Sequence, residues 1–269
     1  MKPAPFEFVA PTSLDETISI LRIARQGGRR ALLLAGGQSL LPQLKERDER
    51  AEIIVWTGKI KELSHFERAH DGWHIGASAT AARLEEIGRG TPLASIGTSV
   101  GPPAVRSCAT IGGGIVSASS TSDWLVRLAA CSARCLLVGP QGRAMHRAIG
   151  EITVLPTDGI ITEIVIPPQI DDAELYVDRV GSSRNAVPDI NIALLFRRKL
   201  RRGKVAFGTS GGSFATFDLD GAQLDHIARQ SASPTIVAAL RLPSGDDAGL
   251  VAALLGDLVR ATRDREVLP

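Results

Sequence analysis

The chain has 269 residues, 44% of them hydrophobic and 22% charged, so it carries apolar side chain enough for one to three folded cores, and wholesale disorder is excluded. Lys and Arg number 31 against 29 Asp and Glu, a formal charge of +2, and aromatics are 4%. That balance fits neither a dedicated polyanion binder nor a stacking surface for single-stranded nucleic acid. The three cysteines, Cys108, Cys131 and Cys135, form no Cys-x-x-Cys pair, so reduced, small buried thiols in a cytoplasmic protein are expected, not zinc or iron–sulfur ligands. No apolar run approaches the roughly 20 residues of a membrane span, and the first fifteen residues lack a signal-peptide pattern.

In chain order, Phe6 to Val9 read as a short strand. A helix follows: Ser13 with Glu16 suggests a capping box, Leu14, Ile18, Leu21 and Ala24 form an apolar stripe, and Gly27-Gly28 end it. Ala31 to Leu34 fit a buried parallel strand, completing a βαβ start, and Ile53 to Trp56 another strand. Trp73 to Ala77 read as a strand reached through an Asp71-Gly72 turn. Helical patterns cover Ala81 to Ile87, Leu93 to Gly97 and Trp124 to Ala130; strands are expected at Cys135 to Val138 and Ile160 to Ile166, and Pro167-Pro168 marks a boundary. Further on, Asn191 to Arg197 and Lys204 to Gly208 look like paired strands around a basic turn, whose glycine, Gly203, suits a hairpin. Helices are expected at Leu224 to Arg229, Thr235 to Leu240 and Leu250 to Thr262. His70 and His74 are four apart, but Asp71-Gly72 breaks any helix between them, which argues against a metal site.

Two glycine-rich stretches carry chemistry. Ala35-Gly36-Gly37-Gln38-Ser39 follows the Leu34 strand, where two glycines let backbone N–H groups converge on phosphate oxygens. It is neither a Walker A loop nor a Rossmann fingerprint, and a plain strand-to-turn connection also accounts for it. Thr110-Ile111-Gly112-Gly113-Gly114 has three consecutive glycines, expected where backbone approaches something closely. A polar run from Ser117 through Ser119 ends in Asp123, an acid suited to ribose or ribityl hydroxyls, or equally to capping the following helix. Two such loops suit a ligand with two linked phosphates.

In combination the loops resemble those of the flavin-binding medium subunit of the molybdenum hydroxylases, the carbon monoxide dehydrogenase and xanthine dehydrogenase family. Its Ala-Gly-Gly-x-Ser/Asp-Leu-Leu pattern stands here as Ala35 to Leu41, and its Arg-x-x-x-Thr-Ile-Gly-Gly-Asn as Arg106 to Gly114. Val55 to Leu63, Ile75-Gly76-Ala77 with Thr80, Ser119 to Asp123, and Gly139-Pro140 to Arg143 match further shared segments, in order, over nearly all of residues 1–168. Residues 169–269 fit loosely, through Tyr176, Arg179, Arg184 and Asp189. Three features depart from the pattern: Gly114 replaces Asn, Ser120 replaces Pro, and the closing Tyr-Arg segment is not recognisable near Ala248 to Ala261.

The resemblance implies an α+β fold: a two-lobed FAD-binding domain of the vanillyl-alcohol-oxidase (PCMH) type, residues 1–57 and 58–168, then a smaller α+β domain at 169–269 like the C-terminal domain of the carbon monoxide dehydrogenase flavoprotein. It implies FAD held by Leu34, Ala35, Gly36, Gly37, Gln38, Ser39, Leu40, Val105, Thr110, Ile111, Gly112, Gly113, Gly114, Ser119, Asp123, Ile161 and Arg179. It implies partners too: a small subunit with two [2Fe–2S] clusters and a molybdopterin large subunit, assembled as a dimer of heterotrimers, with electrons passed from the clusters through FAD to NAD, oxygen or a quinone. A stand-alone flavin oxidoreductase and a scaffold subunit that has lost FAD are the alternatives.

Overall fold

The computed structural model describes residues 3–139, 141–151, 159–181, 187–230 and 246–264, arranged around three sheets. The expected helix at Thr235 to Leu240 and Arg184 lie outside the described residues.

The first sheet is parallel, in the order β1 (Glu7–Val9), β3 (Ile53–Trp56), β2 (Ala31–Leu34). The βαβ start is therefore split: β3 inserts between β1 and β2 and pairs with both. Helix α1 (Leu14–Gln26) covers one face, packing Leu21 and Ala24 on Ile53 and Val55. Helix α2 (Leu40–Glu46) covers the other, packing Leu44 on Leu34 and Ile54. Ser13 caps α1 by accepting the Glu16 N–H, while the Glu16 carboxylate accepts the Thr12 N–H at 2.8 Å, one residue earlier than the expected box.

The second sheet is antiparallel, in the order β4 (Phe66–Ala69), β5 (Gly72–Gly76), β8 (Ile160–Ile166), β6 (Arg134–Val138), β7 (Ala144–Ala148). Its apolar side shares a core with α3 (Ala81–Ile87), α4 (Pro92–Thr98), α6 (Ile111–Val116) and α7 (Asp123–Ala130), through Ile75, Ile164, Leu84, Leu93, Ile96, Ile111 and Leu128. A short α5 (Pro103–Arg106) lies between α4 and α6. Strands β4 and β7 and helix α5 were not expected from the sequence.

The third sheet, β12 (Phe214–Leu219), β11 (Arg202–Thr209), β10 (Ile190–Arg197), β9 (Glu174–Val180), is antiparallel throughout. Ala193, Leu195 and Ala206 join the α7 core, whereas Ile192, Leu194, Val205 and Phe207 join α8 (Gly221–Arg229) and α9 (Asp246–Asp264). The basic turn does join β10 to β11, but its left-handed residue is Arg201 (φ 47°), not a glycine. Gly203 lies within β11, where a Cβ would come 2.7 Å from the Leu194 side chain, so its role is to make room for Leu194.

Candidate functional site

After Leu34 the chain turns through Ala35 to Ser39 and re-enters helix at Leu40. Gly37 has φ +72°, which lets the turn reverse. The Leu41 N–H donates to the Gly37 carbonyl at 3.1 Å, but the N–H groups of Gly36, Gly37, Gln38 and Ser39 meet no acceptor among the described residues. Consecutive N–H groups with no protein acceptor, at half-exposed Gly36 and Gly37 and exposed Gln38 and Ser39, can donate to an anion.

The second glycine stretch is built differently. It is not a loop but the start of α6, with Thr110 as N-cap accepting the Gly113 N–H on its hydroxyl at 3.3 Å. The Gly114 N–H donates to the Thr110 carbonyl, Ile111 N–H to Ala79 and Gly112 N–H to Ala77, at 2.8 to 2.9 Å. These amides are used inside the protein. Here the glycines provide close approach: a Cβ on Gly112 would come 2.7 Å from the Ala77 Cβ, and one on Gly114 would press on the Trp124 indole at 3.0 Å. Trp124 thus fills the space beside the position where the family pattern has Asn.

The two stretches touch. A Cβ on Gly36 would lie 1.9 Å from the Cys108 carbonyl oxygen. Ser39 Oγ donates to Ser117 Oγ at 3.2 Å, and Ser117 Oγ donates to the Gly113 carbonyl at 2.8 Å. Arg106 holds the approach to α6 by donating to Glu85 at 2.9 Å and to the Gly101 carbonyl at 2.8 Å. Val105 and Ile161 have other neighbours: Val105 accepts the Ala109 N–H inside its own turn, and Ile161 is buried in β8 opposite Leu137.

Ser119 Oγ lies 3.4 Å from Thr121 Oγ1. Asp123 does not cap α7; Ser122 holds that position, and Asp123 begins the helix with its carboxylate engaged elsewhere. Its Oδ1 accepts from Arg127 and from Asn191 Nδ2 (3.1 Å), and its Oδ2 faces Arg179 at 3.5 Å. The Arg179 guanidinium reaches Asp123. Asn191 is 1% exposed and is anchored by the Thr121 carbonyl at 3.0 Å. Sequence reading missed Arg127, although an i,i+4 Asp–Arg pair on a helix is a visible signal. It also missed Asn191, for which no local signal exists. Ser120, in place of the family proline, donates to the Thr209 carbonyl at 2.7 Å, and its own carbonyl sits where a Cβ on Gly208 would be.

Residues 4–169 match the family described as "FAD binding domain in molybdopterin dehydrogenase". The chain belongs to that family. Among curated members, it is 26% identical over 222 residues to the nicotinate dehydrogenase FAD-subunit of Eubacterium barkeri, covering 78% of this chain and 68% of that one. It is 32% identical over 176 residues to the carbon monoxide dehydrogenase medium chain of Hydrogenophaga pseudoflava, covering 62% and 60%. The chain thus aligns with about three-fifths to two-thirds of these two family members. Among solved structures, carbon monoxide dehydrogenase from H. pseudoflava superposes with a TM-score of 0.75 at 25% identity over 97% of this chain and 96% of that chain. Quinoline 2-oxidoreductase from Pseudomonas putida 86 superposes with 0.79 at 19% identity over the whole of both chains, a likeness of fold. Among the described residues no helix is long and apolar enough to cross a membrane, and no group of three or more His, Cys, Asp or Glu could hold a metal ion.

For a family that binds FAD, the donor set fits. The first loop offers four unengaged amides beside the Ser39 and Ser117 hydroxyls. The Asp123 Oδ2 retains accepting capacity, and the buried Nε of neighbouring Arg127 has no partner.

Proposed function

We propose that this chain is the FAD-binding electron-transfer subunit of a multi-subunit molybdenum hydroxylase. The observation that carries the proposal is the run of four unengaged N–H groups at Gly36 to Ser39, pressed against the start of α6. In this reading those amides bind pyrophosphate oxygens, with the Ser39–Ser117 hydroxyl pair tying the loop to α6 and Leu34, Ala35 and Leu40 holding the loop. Thr110, Ile111, Gly112, Gly113 and Gly114 form the opposing wall. Ser119 and Asp123 receive the ribityl hydroxyls, and Arg179 places a cation beside the flavin. The lobes divide at 1–57, 58–168 and 169–269, with the ligand between the first two, as cofactors often lie at domain interfaces.

Bound FAD supplies electron exchange singly and in pairs. The chain's own part is to fix the ligand and set its electrostatic surroundings, through the Asp123 carboxylate engaged by both Arg127 and Arg179. Electrons would come from [2Fe–2S] clusters of a small subunit, reduced in turn by a molybdopterin subunit, and leave to NAD, oxygen or a quinone. The assembly would be a cytoplasmic dimer of heterotrimers. A flavin-free scaffold is the second reading, favoured by the Trp124 indole packed at Gly114 and by the internally used amides of α6.

The test is the visible absorption spectrum of the purified chain, before and after incubation with FAD. A bound flavin band, with FAD identified on release, supports the proposal; folded protein that takes up no FAD overturns it in favour of the scaffold. Co-purification with iron–sulfur and molybdopterin subunits then tests the assembly.

A further inference from the structure

Four titratable side chains outside this site form a continuous chain on the second sheet, on the side away from Ile75 and Ile164. His65 Nδ1 lies 2.9 Å from the Glu62 carbonyl oxygen, and its Nε2 lies 2.9 Å from Glu163 Oε2. His74 Nδ1 lies 3.1 Å from Glu163 Oε1, and its Nε2 lies 3.0 Å from Asp71 Oδ1. All four oxygens accept. A neutral imidazole carries one N–H, so two neutral rings can fill only two of the four contacts. All four are filled only when both rings carry two protons, and the two cations then balance Glu163 and Asp71.

The network fastens separate elements together. Glu163 is on β8, His74 on β5, Asp71 in the β4–β5 turn, and His65 follows the turn at Lys61–Leu63. The Gly76 N–H donates to the His65 carbonyl at 2.9 Å. The next residue, Ala77, donates to Thr162 and accepts the Gly112 N–H, so the cluster lies directly before the segment on which α6 starts.

We propose that His65, Glu163, His74 and Asp71 form a proton-keyed clamp that fastens the β4–β5 hairpin to β8, closed while both rings are doubly protonated and loosened as they lose a proton. The surrounding charges are mixed. Glu67 on β4 stands opposite His74, and His70 acts on Asp71 from the turn. On β6, Arg134 stands opposite Val165 and Leu136 opposite Glu163; on β7, His146 stands opposite Leu136. The Glu62 carboxylate accepts the Leu14 N–H at 3.4 Å.

The hydrogen bond to Asp71, then Glu163, raises the His74 pKa from its usual 6.5, and the hydrogen bond from His74 lowers that of Asp71 from its usual 3.8. A raised histidine pKa contributes stability that is fully present below 6.5 and is lost as pH rises through the higher folded value. A lowered carboxyl pKa contributes stability present above 3.8 and lost as pH falls through the lower folded value. The clamp is therefore firmest between those limits.

The experiment compares thermal midpoints of the full chain from about pH 5 to about pH 9 with those of His74→Gln and Glu163→Gln, and titrates the ring nitrogens of the unsubstituted chain by NMR. The expected result is a midpoint that falls by roughly 3 °C more, from about pH 6 to about pH 8, in the unsubstituted chain than in His74→Gln, with the His74 ring doubly protonated at about pH 6. Parallel midpoint profiles for all three proteins, or a singly protonated His74 ring at about pH 6, would overturn the proposal. If neither variant folds, the ring titration decides alone.

Discussion

Gly36 and Cys108 are in direct backbone contact, so close that a single methyl on Gly36 would overlap the Cys108 carbonyl oxygen at 1.9 Å. The first glycine loop and the approach to α6 are therefore fitted to each other before any ligand is considered.

This contact separates the effects of the two glycine stretches. Gly36→Ala is expected to cost at least about 3 kcal/mol, because the clash is with backbone that cannot rotate away. Gly113→Ala meets only its own cap, Thr110 Oγ1, at 2.9 Å and the Ala35 Cβ at 3.6 Å. It should cost about 1 kcal/mol, the worth of a disturbed cap, while lowering flavin content. Thermal melts run beside flavin content distinguish the two; equal destabilisation by both would refute the contact argument.

Asp123→Ala is expected to destabilise the fold as well as weaken FAD binding. It leaves Arg127, whose side chain is 11% exposed, without its counter-charge, at a cost of about 3 kcal/mol. Adding Arg127→Met should recover part of that loss in urea denaturation, since the unpaired cation is gone. Strict additivity of the two changes would show that the pair is not coupled.

Gly114→Asn, which restores the family residue, should destabilise by about 1–3 kcal/mol, because the Trp124 indole lies 3.0 Å from the added Cβ. Gly114→Asn with Trp124→Leu should cost less than the sum of the single changes. A denaturation cycle on the four proteins measures that coupling.

Thiol reactivity should be sharply divided. Cys108 is exposed, whereas burial pushes the Cys131 thiol up to about 12 and the Cys135 thiol up to about 11. One equivalent should react quickly with a disulfide reagent in the native protein and the other two only after unfolding. Rapid reaction of all three would contradict the packing around α7 and β6.

What could be read from the sequence was local. The Ser13 cap, the Leu21–Ala24 stripe and the β10–β11 pairing each depend on neighbours within a few residues, and each is found in the structure. The helical state of Gly112 to Gly114 was not readable, because glycine is a poor helix former and the turn is held by Ala77 and Ala79, some thirty residues earlier. Strand β7 was hidden for a related reason: all but its last residue are exposed, so it shows no inward–outward alternation. At the site, the glycines and Asp123 stood out by type, but Asn191 drew no notice, since its role arises only where β10 crosses the start of α7.

The order of strands in the second sheet also dictates when the protein can complete itself during synthesis. Its central strand, β8, is the last of the five in the chain, and Gly76 on β5 waits for Glu163, about 90 positions later. At roughly 5–20 residues per second, that leaves the β5 edge unpaired for about 5–18 s on the ribosome. The three-stranded parallel sheet needs nothing beyond Trp56 and can close first. The nascent chain thus passes through a stage with the parallel sheet formed and one edge of β5 still open, a period that favours misassociation with a neighbouring chain.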